Sequence, residues 1–242
     1  MHNTREHRRA WINTCNPDAT SILNKFPRLF DVNELISKEF AAIAGEFLFL
    51  RVAMLSLSQK ILVYSENLKG NSNMQQMLRA YQSNEFDEDK KTELSFLLLP
   101  HILIPPPQRC LKAPRVGRDV VSNQMFVDMN EEQMSVPEAV ASLQKNVWAG
   151  IHNLPPLLFC LNKIYYIKLD DRAIELCDAA CFCDAMEFLL KCFYVFNLSY
   201  PHEIKPFYGL LEHLMQTNIS IGKSAALSDF LGAMTEKFVL KN

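Results

Sequence analysis

Two short apolar runs, Leu157–Leu161 and Ile164–Leu169, are separated by only two residues, Asn162 and Lys163. A spacer that short makes two strand-like runs an antiparallel hairpin closed by a tight turn. Asp170-Asp171-Arg172 gives a second turn signal, and Ala173 to Leu176 adds a short third strand. Asp178 to Asn197 follows as the strongest helix of the chain. Its Phe182, Met186, Leu189, Leu190, Phe193 and Val195 form a broad apolar surface, so this helix is expected to be central.

Upstream the spacing is helical. Asn16-Pro17-Asp18 is a turn signal, Ser21 to Lys25 begins a short helix, and Phe26-Pro27 breaks it. Leu35, Ile36, Phe40 and Ile43 then recur at helical spacing, with Asp31 or Asn33 as the expected N-cap. Residues 47–82 read as one or two helices carrying Leu50, Met54, Leu57, Ile61 and Leu68. Gly70 to Asn73 interrupts them, and Met74, Met77, Leu78 and Tyr81 form a further apolar face. Asn84 to Lys91 is acidic and polar and is expected to be a surface loop.

Glu93 to Ile104 is an apolar run that fits a buried strand or a short helix, because periodicity alone does not separate the two. It ends in Pro105-Pro106-Pro107, which fix φ and remove donors, so an extended segment should follow. Gln124 to Met129 alternates to some degree, as a short strand does. Ser135-Val136-Pro137-Glu138 predicts a helix start, with Ser135 as N-cap and Glu138 completing a capping box. That helix should run to about Ile151. After the Tyr200-Pro201 break, Glu203 to Gln216 predicts another helix. Leu227, Phe230, Leu231, Met234 and Phe238 suit a last docking helix.

This order predicts an α+β fold: N-terminal helices, then a small antiparallel or mixed sheet packed against C-terminal helices. The expected organisation is a single domain over residues 1–242, helical over residues 1–92 and α+β over residues 93–242. At 242 residues and 49% hydrophobic, the chain can bury a sizeable core. Neither of its longest apolar stretches, Phe47 to Leu57 and Leu94 to Ile104, reaches the roughly 20 residues of a membrane span. No signal-peptide core follows the polar, basic start. Seven cysteines, odd in number and several of them clustered in an apolar stretch, argue for reduced, mostly buried thiols. The expectation is an intracellular chain without membrane contact; nucleus and cytoplasm are not distinguished.

Common catalytic chemistries find no support. The seven glycines are isolated, so neither a Gly-x-Gly-x-x-Gly loop nor a Gly-x-Ser-x-Gly elbow exists. None of the six histidines sits in a recognisable nucleophile signature. Cys177, Cys181, Cys183 and Cys192 are spaced Cys-x3-Cys-x-Cys-x8-Cys, unlike the paired turns of structural zinc. On one helix Cys181 and Cys183 would point about 200° apart. Filling the interior is the favoured role for these thiols. Asp170-Asp171 and Asp87-Glu88-Asp89 lack the alternation of a calcium loop and read as solvated turns. No catalytic residue, metal or cofactor is predicted.

The net charge of −2 disfavours a globally basic nucleic-acid binder. Locally, however, residues 108–118 hold Arg109, Lys112, Arg115 and Arg118 without an acid, and the leading segment holds Arg8 and Arg9. These six are the candidate contacts to phosphates or to an acidic partner. No aromatic ladder for base stacking is interleaved with the 109–118 stretch, and a plain solvated linker is the competing reading.

Two longer motifs carry a resemblance. One runs from Arg8-Arg9-Ala10-Trp11-Ile12 through Lys25-Phe26-Pro27-Arg28-Leu29-Phe30-Asp31 to Ile36-Ser37-Lys38-Glu39-Phe40. The other is Phe188-Leu189-Leu190-Lys191-Cys192-Phe193-Tyr194-Val195-Phe196-Asn197-Leu198-Ser199-Tyr200-Pro201. Together they resemble a large family of uncharacterised animal proteins, mostly of fish, some called sterile alpha motif domain-containing protein 3-like. The resemblance spans Arg8 to about Gln216 and excludes the sterile alpha motif itself. The 108–134 region is shorter than the family pattern. The resemblance implies no catalytic residue. Physically, Asn197 can end the long helix in αL, and the rings of Phe193, Tyr194, Phe196, Tyr200 and Phe207 suit a core. The resulting expectation is a non-enzymatic intracellular protein-interaction domain with an unknown protein partner. A nucleic-acid-associated protein using the local basic patch is the alternative.

Overall fold

In the computed structural model Asn162 and Lys163 both take positive φ, 52° and 67°, as a two-residue type I′ hairpin turn requires. The structure describes residues 2–31, 34–68, 72–104, 122–129, 134–146, 155–177, 179–217 and 224–239. These hold eleven helices and four strands, and the fold is α+β. In chain order they begin with α1 His2–Cys15, α2 Ala19–Lys25, α3 Arg28–Asp31, α4 Leu35–Ala44, α5 Leu50–Glu66, α6 Ser72–Ser83 and α7 Glu88–Leu103. There follow β1 Phe126–Met129, α8 Val136–Asn146, β2 Leu157–Leu161, β3 Ile164–Leu169, β4 Arg172–Glu175, α9 Phe182–Val195, α10 Lys205–Met215 and α11 Ala225–Val239. The chain forms two compact units. Unit 1 is Met1–Phe47, Phe126–Ala180 and Asp184–Tyr200; unit 2 is Leu48–Met125, Cys181–Cys183 and Pro201–Asn242.

Unit 1 contains the sheet, in the order β1-β2-β3-β4. The two predicted turns make β2–β3 and β3–β4 antiparallel, with Leu161 opposite Ile164 and Leu169 opposite Arg172. β1 lies parallel to β2, so the sheet is mixed, and α8 falls in the connection that a parallel pair needs. Ala139 and Leu143 of α8 pack on Leu157, Phe159, Leu161 and Tyr166. Phe159 and Tyr166 are register partners whose rings stack at 5.2 Å. Leu158, Ile167 and Leu169, on the opposite face, are also buried. Burial on both faces explains why β2 reads as an unbroken apolar run rather than an alternating one.

The helices of unit 1 are joined by rings. Phe40 meets Phe47 and Tyr194 edge-on at 4.9 and 5.2 Å, and Phe30 stacks on Phe196 at 5.9 Å. Asn197 ends the long helix in αL, at φ 55°. The Leu198 N–H donates to Phe193 O at 2.8 Å and the Asn197 N–H to Tyr194 O at 3.2 Å, a Schellman closure with Asn in place of Gly. The helix begins later than its sequence suggests, at Phe182, because Ala179 N–H turns back to Leu176 O. Asp178 lies outside the described residues.

The turn at Asn16-Pro17-Asp18 also supplies a helix cap, and the Ser135–Glu138 start is found in part. Asp18 accepts the Ser21 N–H at 2.6 Å, and hydrogen bonding with the Ser21 side chain, then with its N–H, holds the Asp18 carboxyl below the usual range. Glu138 accepts both the Ser135 N–H and its hydroxyl, at 2.8 and 2.6 Å. These bonds likewise lower the Glu138 pKa. That is the Glu half of a capping box. α8 is described to Asn146, and the stretch expected to extend it to Ile151 lies outside the described residues. α4, in contrast, starts from Glu34 in αL without a side-chain cap, whereas Asp31 closes α3 and Asn33 is outside the described residues.

Unit 2 is helical where described. The Asn84–Lys91 loop is shorter than expected: Asp87 accepts the Lys90 N–H at 2.7 Å and α7 starts at Glu88. Glu88 and Asp89 suit that first turn because their charges face the positive end of the helix dipole. The 93–104 run resolves as helix, with Pro100 tolerated inside it. α7 packs along α5, where Ser95 donates to Ser58 O at 3.1 Å. Phe96, Phe182 and Phe207 form its aromatic core, and Tyr64 meets Phe230 of the docking helix α11 at 5.8 Å.

Candidate interaction surface

The buried positions of α5 are Leu50, Met54, Ser58, Ile61, Leu62 and Ser65, spaced by three and four. That spacing puts one stripe of the helix against the interior of unit 2. An amphipathic helix would carry polar residues opposite. Here Val52, Leu55, Ser56, Gln59 and Val63 fall in an arc of about 100° on the other side, at 3.6 residues per turn. Glu66, in the last turn, falls in the same arc and is its one charged member; three of the six residues are large and apolar.

Leu48 and Phe49 lead into the same helix and are exposed as well. Phe49 is 62% exposed, Val52 60% and Leu55 57%. Five of the six exposed large hydrophobics among the described residues belong to this short stretch. Concentration of that kind marks an interaction surface more often than chance exposure does. Arg51 and Lys60 flank the arc, and Arg51 lies 3.5 Å from Asp89 of α7.

Two of the six sequence-level candidates, Arg8 and Arg9, are described, and both belong to unit 1. Arg8 is buried in unit 1, ion-paired with Glu39, and its guanidinium lies 5.5 Å from the Phe26 ring centre. Arg9 donates to Tyr194 O and Val195 O at 3.0 and 3.1 Å, placing a cation on the carbonyl end of α9. Burial lowers its pKa, and nearby Glu39 offsets some of that effect. Both side chains are therefore engaged within the fold, and a phosphate would have to displace those partners. Arg109, Lys112, Arg115 and Arg118 lie outside the described residues.

The thiols divide. Cys181, Cys183 and Cys192 are buried, and burial pushes the Cys192 thiol far above its usual range. Such a thiol stays protonated and is a poor nucleophile. Cys177 is exposed, with its sulfur 3.7 Å from a Glu175 carboxylate oxygen. Interior filling therefore does not describe Cys177, nor the exposed Cys15. No disulfide links the six described cysteines. Among the described residues no group of three His, Cys, Asp or Glu could hold a metal ion, and no helix is long and apolar enough to cross a membrane.

Sequence reasoning missed the α5 arc. It followed Leu50, Met54 and Ile61 inward and did not ask what the remaining apolar residues of 48–63 would face. Subtracting the inward stripe from the helical wheel exposes the arc at once. No protein-family model, curated protein or solved structure matches the chain.

Proposed function

We propose that this protein is a non-enzymatic, intracellular interaction domain that binds another protein through α5. The observation carrying this reading is the exposed apolar cluster of Val52, Leu55 and Val63 on α5, continued by Leu48 and Phe49. Burying such side chains contributes roughly 25 cal/mol per Å² of apolar area removed from water, so leaving them exposed forgoes stability that a partner could recover. The family of sterile alpha motif domain-containing protein 3-like proteins is the proposed kinship, on the two motifs quoted above; it is compatible with an interaction role and supplies no chemistry. The internal engagement of Arg8 and Arg9 weighs against the nucleic-acid alternative.

The test compares wild type with Val52→Glu/Leu55→Glu. Both are immobilised in equal amount and challenged with the same cell lysate, and retained proteins are quantified. Both positions are exposed, so the two proteins should melt within a few degrees of each other. The expected result is at least one saturable partner held by wild type and reduced at least tenfold by the variant. Equal retention by two equally folded proteins would overturn the reading. Retained nucleic acid that is released steeply by salt would favour the alternative instead.

A further inference from the structure

We draw no further inference here: the strongest candidate, the exposed apolar arc of Val52, Leu55 and Val63 on α5 with Leu48 and Phe49 before it, already underlies the proposed interaction surface, and nothing in the structure shows what covers it.

Discussion

Among the described residues, unit 1 holds most of the buried charges, while unit 2 holds most of the exposed large hydrophobic side chains. In unit 1, Arg8 with Glu39 and Lys191 with Glu187 are ion pairs that are almost wholly enclosed, and Lys168 is only 1% exposed. In unit 2, Leu48, Phe49, Val52, Leu55 and Val63 face outward from a helix whose other side supplies core. Hydropathy taken residue by residue misplaces both groups. A charge can be inside when each polar atom finds a partner, as Lys191 does with Glu187 at 2.7 Å and Ser37 at 3.1 Å. An apolar residue stays outside when the helical period turns it away from the core.

The sharpest way to break this comparison is to leave a buried charge without its partner. Arg8→Met strips Glu39 of its direct ion pair. Losing one member of a buried pair costs about 3–5 kcal/mol, and Arg9, close enough to feel Glu39, should hold the loss near the lower end. Adding Glu39→Leu should recover much of it, since no charge is then stranded. Urea unfolding of the two variants checks both expectations; an Arg8→Met protein as stable as wild type would show that the pair is not enclosed.

Lys168 sharpens the same point through pH. Its ammonium group donates to Asp170 O, and burial lowers its pKa from the ordinary 10.5, against the opposing pull of Asp170 and Asp171. In the window below 10.5 the unfolded chain then holds its proton more tightly than the folded one. Stability contributed at this position therefore rises as pH climbs towards 10.5 and is lost as pH falls. Lys168→Met should remove that slope, so the stability difference between variant and wild type should change as pH climbs towards 10.5. A constant difference would mean that the amine is solvated.

Much of unit 1 was legible because its signals are local. A two-residue spacer can only be a turn, and Glu138 and Asn197 each act on backbone groups within five residues; Asp18 acts as locally, though its sequence reads only as a turn. The parallel β1–β2 pairing was not legible, since about thirty residues separate the strands and no local rule chooses the partner. The buried Arg8–Glu39 ion pair was illegible for the same reason. Arg8 and Glu39 are 31 positions apart, and the sequence shows Arg8 only as one of several basic residues in a leading segment. Of the candidate surface, the residues were in view but their direction was not.

Asp18 offers a smaller, local effect. Asp18→Ala should cost about 1 kcal/mol, the usual worth of an N-cap. Because hydrogen bonds to Ser21 lower the Asp18 pKa, the charged cap stabilises fully above the ordinary 3.8 and fades as pH falls through the lower folded value. Asp18→Asn keeps an acceptor without the ionisation, so its melting temperature should vary less than that of wild type between pH 5 and pH 3. Identical acid profiles would place the cap elsewhere.

The smallest expected effect on folding carries the most weight for function. Leu55 is 57% exposed, so Leu55→Ser removes little buried area and should change stability by no more than about 0.5 kcal/mol. Serine at the adjacent buried position, Met54→Ser, removes packed volume and should cost several-fold more. The two substitutions sit on neighbouring residues of one helix, so they share chain context and differ chiefly in which way they point. Comparable losses from both, read by chemical denaturation, would mean that the outer face of α5 is already covered, and the difference between the two units would then reduce to their buried charges.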